Sequence, residues 1–150
     1  MGLLKKSIIA SVLITGARLF AQDDLGKQVY STVCIACHQP TGAGLPPVFP
    51  TLINTEYVNG SAERMAAIVL KGVMGPITVN GAAYDNIMPP QEAMLTDDKI
   101  AAVLTYVRGN FGNKAGAVKA EVVADARKKF ASKTTMWSEA ELKAWPEEKK

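Results

Sequence analysis

The chain has 150 residues, of which 48% are hydrophobic and 21% are charged, and its formal net charge is +3 at pH 7. This length suits a single domain, and the composition excludes a disordered chain, a collagen-like repeat and a multi-pass membrane protein. The only two cysteines are three residues apart, so they are too few and too close together for a disulfide scaffold.

Residues 1–21 have the layout of a secretory signal peptide. A basic pair at positions 5 and 6 precedes a mostly apolar stretch from Ile8 to Ile14, and Ala21 stands before polar residues. The apolar stretch is shorter than the ~20 residues of a membrane-spanning helix. We therefore predict cleavage after Ala21, a periplasmic location and no membrane span afterwards, with an uncleaved anchor as the alternative.

The charge of the remaining chain bears on its partners. Removal of residues 1–21 takes three of the 17 basic residues and none of the 14 acidic ones, so residues 22–150 are formally neutral. They contain no basic stripe with interleaved aromatic side chains. We therefore predict no nucleic-acid partner.

The first predicted element is an amphipathic helix over residues 23–37. Leu25, Val29 and Val33 recur at four-residue spacing, and acidic residues open the first turn. The stretch after His38, QPTGAGLPPVFP, has four prolines and two glycines, which predicts a structured loop.

The rest of the chain is predicted to be mostly helical. The patterns indicate a helix from Ser61 to Val73, a short β-hairpin near 76–84 with Asn80-Gly81 as its turn, a helix from Thr96 to Gly109 or Gly112, a helix around 118–130, and a capping box at Ser138-x-x-Glu141. The predicted fold class is all-α with long proline- and glycine-rich loops. Such loops in a small domain need something to order them, and a large buried cofactor would do so.

The motif CIACH, from Cys34 to His38, carries the chemistry. Two thiols three residues apart on a helical turn can each add across one vinyl group of a haem, and the adjacent imidazole can bind the iron. His38 is the only histidine of the chain. The alternatives are a thiol–disulfide redox pair, half of a zinc site, and an incidental disulfide. The first lacks the βαβ pattern it requires, and the second lacks another pair of ligands.

CIACH and three further segments, GLPPVFPTL, IMPP and LTDDKIAAVLTYVRGNFGN, resemble the monohaem class I c-type cytochromes over roughly residues 23–112. The resemblance implies a cytochrome c-like fold of helices around one haem c that is bound covalently through Cys34 and Cys37. It also implies that the first helix crosses the last core helix where Gly26, Tyr30 and Tyr106 lie.

The resemblance further implies the axial ligands of the iron. In this family a backbone carbonyl of the proline-rich loop accepts a hydrogen bond from the axial histidine, here His38; Pro46 and Pro47 are the candidates, and Pro47 is the predicted site residue. The second axial ligand is usually a methionine. Met88 is predicted because two prolines follow it in a loop just ahead of the last core helix. Met94 is the second choice, Met74 fits less well, and Met65 and Met136 are expected to be packing or surface residues.

The implied function is one-electron transfer, not enzymatic catalysis. The resemblance extends to cytochromes that partner periplasmic sugar or alcohol dehydrogenases, which also continue with a valine-rich helix and an aromatic end. We predict a signal peptide (1–21), a cytochrome c domain (22–113) and a helical extension packed on it (114–150). The predicted partners are a dehydrogenase as electron donor and a terminal oxidase or another cytochrome as acceptor, with the protein acting either as a free carrier or as a bound subunit. The alternatives are ligand binding or catalysis at a five-coordinate iron, and a haem-free thiol oxidoreductase.

Overall fold

The computed structural model describes residues 22–146, so the predicted signal peptide lies outside the described residues. In chain order the elements are helix α1 (22–38), helix α2 (Ala62–Lys71), strands β1 (Pro76–Val79) and β2 (Ala82–Asp85), and helices α3 (Asp97–Gly109), α4 (Ala120–Lys129) and α5 (Glu139–Lys143). This part of the chain is therefore mostly helical with one small antiparallel sheet, and not strictly all-α. Within residues 22–146, no helix combines the length and the apolar content that a membrane span requires.

Helix α1, which carries the cysteine motif, is continuous but not regular. Residues Tyr30–Cys34 form a π-helical turn, in which the Ile35 N–H donates to the Tyr30 carbonyl. This wider turn rotates the residues after it by about 100° relative to a regular α-helix, and the four-residue repeat did not predict it. The helix ends directly after His38, where Gln39 takes a φ of +63°.

Helices α1 and α3 cross at Gly26. A Cβ atom on Gly26 would lie 2.7 Å from the Tyr106 Cβ and would also strike the Ala102 carbonyl oxygen. The Tyr30 and Tyr106 rings lie 5.6 Å apart. Only a residue without a side chain permits this approach of the two backbones, so the predicted crossing is confirmed.

Other boundaries follow local signals in the sequence. Helix α2 begins after Ser61, whose hydroxyl accepts a hydrogen bond from the Arg64 N–H. It ends two residues before the predicted Val73 because Gly72 takes a φ of +72°. The predicted hairpin is confirmed: its turn residues have φ values of +50° and +78°, as the tightest hairpin turns require.

Two groups of buried side chains form the core. The larger group comes mainly from α1, α2, α3 and α4, and the smaller group joins the sheet to residues that follow α4. Val123 and Ala126 of α4 are completely buried in the larger group. The residues after 114 therefore pack against the helices that precede them.

The segment after α4 is held by aromatic contacts and by a helix cap. The rings of Phe130, Trp137 and Trp145 lie 5.0–5.4 Å apart in pairs. The Trp137 indole N–H donates to the buried Ala67 carbonyl of α2 at 2.9 Å. The predicted capping box at the start of α5 is confirmed, because the Ser138 hydroxyl and the Glu141 carboxylate each bond the other residue's backbone N–H.

Candidate functional site

A cleft lies beside the cysteine motif of α1. Its volume is about 210 Å³, and about 1380 Å³ is free of protein atoms when its open mouth is included. Aliphatic side chains supply most of the walls, including those of Leu52, Val58, Ile68, Val69, Val103 and Leu104. Cys34, Cys37, His38 and Met88 line the same cleft.

The ring of His38 is oriented by one hydrogen bond. Its Nδ1 lies 3.0 Å from the Pro50 carbonyl oxygen. Because a carbonyl only accepts, Nδ1 carries the proton and the lone pair is on Nε2. Burial lowers the pKa of His38, and the bond to Pro50 offsets this only in part. The imidazole is therefore neutral at pH 7, which is the form that binds a metal.

The prediction that the Pro47 carbonyl accepts this hydrogen bond is wrong. Leu45 and Phe49 exchange backbone hydrogen bonds of 2.8 and 2.9 Å, which close a tight turn. Pro47 lies exposed within that turn. The chain reverses there, and the carbonyl that reaches His38 is that of Pro50, from the same proline-rich loop. The sequence predicted the correct loop but not the correct acceptor residue, because no local pattern predicts the backbone pairing of Leu45 with Phe49 that closes the turn.

The two cysteines are half-buried at the cleft and form no disulfide with each other. Burial raises the pKa of the Cys34 thiol to about 11, and the neighbouring Cys37 adds to this rise. Nucleophilic thiols of redox enzymes have a lowered pKa, so this environment argues against a thiol oxidoreductase. Among residues 22–146, no three His, Cys, Asp or Glu side chains lie together in an arrangement that could hold a metal ion.

The methionines differ in where they lie. Met88 and Met65 line the cleft, whereas Met74 and Met94 are 54% and 68% exposed. Met65 is buried in mid-helix, with its sulfur 3.8 Å from the Arg108 Nη1, and so has the packing role expected for it. Met88 is half-buried in a loop, so it is the one of these methionines that both lines the cleft and lies outside a helix.

The backbone around Met88 is fixed on two sides. Met88 and Val73 exchange hydrogen bonds of 2.9 and 3.0 Å. Three residues later, the Gln91 N–H donates to a carbonyl in the last turn of α2. The Glu92 carboxylate then pairs with the buried Lys71 ammonium at 2.8 Å. Sequence reasoning missed these attachments, because a charge pair so far apart in sequence has no recognisable spacing.

The groups at the cleft fit a covalently bound haem. Two thiols on one helical turn, a neutral imidazole with Nε2 free of the Pro50 bond, and a thioether sulfur supply the donor set. Aliphatic walls suit the apolar faces of the macrocycle, and the open mouth leaves one side of the cleft accessible.

Comparison with known proteins points the same way. The family model described as "Cytochrome c" matches residues 24–111. Cytochrome c-552 of Thermus thermophilus is 33% identical over 138 residues, which cover 88% of this chain and 90% of that protein. The cytochrome c subunit of the alcohol dehydrogenase (quinone) of Gluconobacter oxydans is 30% identical over 83% of this chain, but this covers only 26% of that subunit. The fructose dehydrogenase cytochrome subunit of Gluconobacter japonicus is 31% identical over 68% of this chain and 22% of that subunit.

Proposed function

Because the chain belongs to the cytochrome c family, we propose that it is a periplasmic one-electron carrier in which His38 and Met88 bind the iron of haem c. Members of this family hold haem c covalently and transfer electrons rather than catalyse a reaction. The observation that carries the proposal is that Met88 and His38, with Nδ1 bonded to Pro50, line the same cleft as the cysteine pair.

Each residue of the cleft has a distinct part in this function. The haem supplies a reversible one-electron couple when bound. Cys34 and Cys37 tie it to α1 by two thioether bonds. The bond to Pro50 keeps the His38 ring in one orientation and makes Nε2 more basic. The Met88 sulfur would hold the iron together with His38 and would raise its reduction potential, and two ligands that stay bound in both oxidation states would keep rearrangement small.

We propose a dehydrogenase as the electron donor, with the electron passing onward toward a terminal oxidase. The similarity to cytochrome subunits of alcohol and fructose dehydrogenases supports this class of donor. Those subunits are much longer than this chain, so the support extends to the class of partner and not to a particular enzyme. The signal-like composition of residues 1–21 supports export.

Optical spectra of the haem-loaded protein test the axial ligands. We expect sharp reduced c-type bands and, in the ferric state, the weak red band of thioether–iron ligation. Met88→Ala should abolish that red band and lower the reduction potential by on the order of 100 mV or more, within the roughly 0.8 V that axial ligands span. Met94→Ala, which removes an exposed methionine, should change neither the red band nor the reduction potential.

The opposite results are equally informative. A wild-type spectrum without the red band, together with rapid carbon monoxide binding, would refute Met88 ligation and favour ligand-binding chemistry at a five-coordinate iron. Loss of the band in Met94→Ala but not in Met88→Ala would transfer the ligand role to Met94. A colourless protein from cells that attach haem would refute the function altogether.

A further inference from the structure

The loop that carries Met88 is joined through Val73 to the segment between α4 and α5. The short segment Gly72–Met74 lies between two partners: Val73 pairs antiparallel with Met88 and parallel with Trp137. On the Trp137 side, its N–H donates to the Gly72 carbonyl at 2.9 Å, and its carbonyl accepts from the Met74 N–H at 3.0 Å. The three segments thus form a small ladder with Met88 at one edge and Trp137 at the other.

The indole of Trp137 anchors this ladder to the core. The side chain is 7% exposed, and its N–H donates to the Ala67 carbonyl of α2 at 2.9 Å. This side-chain bond adds to the two backbone bonds of the same residue. Trp137 is therefore held at three points, all of them on α2 or on the segment that follows it.

Arg127 of α4 attaches the other end of the same loop. Its Nη1 donates to the Glu92 carbonyl at 2.7 Å and its Nη2 to the Leu95 carbonyl at 2.9 Å. Its Nε pairs with the Asp97 carboxylate at 2.8 Å. A guanidinium that spans three groups in this way restrains the backbone between Met88 and α3.

The close contact between Gly72 and the Met88 backbone shows how tightly the ladder is packed. Gly72 has φ +72° and ψ 176°, a conformation that is essentially restricted to glycine. A Cβ atom there would strike the Met88 carbonyl oxygen and would lie 2.9 Å from the Pro90 nitrogen. The Met88 backbone therefore has little room to move while the Trp137 side of the ladder is in place.

We propose that Trp137 and Arg127 are positioning residues that hold the Met88 sulfur on the haem iron, so that the C-terminal extension controls how often this ligand dissociates. The inference rests on the proposed His38/Met88 ligation. Neither residue lines the cleft, so each acts through the backbone that flanks Met88 and not by contact with the haem.

Displacement of Met88 by added imidazole tests this role in the full-length ferric haem protein. Imidazole binds only molecules in which Met88 has left the iron, so its apparent affinity rises in proportion to that population. We expect Arg127→Met and Trp137→Phe each to bind imidazole about fivefold more tightly than the wild type. The red thioether band in the absence of imidazole should persist in both variants.

Two matched substitutions serve as controls. Lys128→Met removes the same charge from an exposed neighbour on α4, and Trp145→Phe changes another ring of the same aromatic group. Both should stay within about twofold of the wild-type affinity. Denaturant unfolding of every variant separates a local effect at Met88 from a general loss of stability.

The outcomes distinguish the inference from the proposed function. If the wild type shows the red band but Arg127→Met and Trp137→Phe bind imidazole no more tightly than their controls, the positioning role is overturned even where they unfold more easily. If the wild type lacks the red band, Met88 ligation fails and the inference fails with it. Tighter imidazole binding confined to the two test variants supports the role.

Discussion

At the scale of single residues, the site depends on groups that are not ligands themselves. The Pro50 carbonyl selects the His38 tautomer. Because every residue has a backbone carbonyl, no sequence motif shows which one will accept this hydrogen bond. The Tyr30 hydroxyl donates to the Gln39 carbonyl at 2.7 Å, directly after the histidine, where the backbone takes its positive φ. A left-handed non-glycine residue is costly and persists only when its surroundings hold it.

Gly72 provides a prediction at this scale. Gly72→Ala should destabilise the folded protein by roughly 3 kcal/mol or more, because it combines a glycine-only backbone conformation with a clash against Met88. Denaturant unfolding of the haem protein measures this loss.

Gly75→Ala is the matched control for that substitution. Gly75 also has a positive φ, +85°, but a Cβ there would meet nothing within 4 Å. Gly75→Ala should therefore lower the free energy of unfolding by only about 1–2 kcal/mol, which is the cost of a side chain in a left-handed backbone conformation. Equal losses in the two variants would show that the contact between Gly72 and Met88 is unimportant for stability.

At the scale of elements, the ends and the crossings of helices position the residues that line the cleft. The π-helical turn at Tyr30–Cys34 ends on the first cysteine, and it lies between the crossing with α3 at Gly26 and the last turn of α1, which presents Cys37 and His38. Glycines at the crossing and after α2 let backbones approach closely. Each element is short, so its position comes mainly from packing and not from intrinsic helix propensity.

The capping box of α5 predicts a pH dependence. Hydrogen bonds from Lys133, and from the Ser138 backbone and hydroxyl, lower the pKa of Glu141 from 4.5 to about 2. A lowered pKa in the folded state means that the carboxylate stabilises the fold above pH 4.5 and that this contribution is lost as the pH falls toward 2. Because Glu141 is exposed, the contribution should be below ~1 kcal/mol.

Glu141→Gln isolates the charge in that prediction, since glutamine can still serve a capping box. The difference in unfolding free energy between wild type and Glu141→Gln should be present at pH 6 and should disappear near pH 2. Denaturant titrations of the haem protein at several pH values measure it. A difference that stays constant with pH would mean that the charge of Glu141 contributes nothing.

At the scale of the whole molecule, the cleft occupies the place where part of a hydrophobic core would otherwise lie. Helices α1, α2 and α3 all contribute to its walls, so the protein's own side chains do not complete the interior between them. The aliphatic walls of the cleft would face solvent if nothing filled it, so the burial of apolar surface that stabilises a small domain is completed only when the haem is bound.

We therefore expect the chain without haem to be largely unfolded. A Cys34→Ser/Cys37→Ser variant, which cannot form the thioether bonds, should lose near-ultraviolet circular dichroism and a cooperative denaturant transition once haem is absent. The haem-loaded wild type is the reference. A haem-free chain that unfolds cooperatively at the wild-type midpoint would refute the expectation that the fold depends on the haem.

Local patterns in the amino-acid sequence were enough to identify the family, the cysteine–histidine motif and most helix boundaries, because these depend on neighbours along the chain. Thiols and imidazole within one helical turn, a glycine after a helix and Asn80-Gly81 between two strands all act locally. Even the crossing at Gly26 could be inferred, since the family resemblance supplied its long-range partner.

The groups that hold the site in place could be identified only in the folded chain. Pro50 replaced Pro47 because a closed turn reverses the loop. The Lys71–Glu92 pair and the ladder that joins Trp137 to Met88 bring together residues far apart in sequence. Such contacts arise from chain reversal and packing. Any residue can supply a backbone carbonyl, and an ion pair between residues far apart in sequence has no characteristic spacing, so neither kind of contact leaves a recognisable pattern in the sequence.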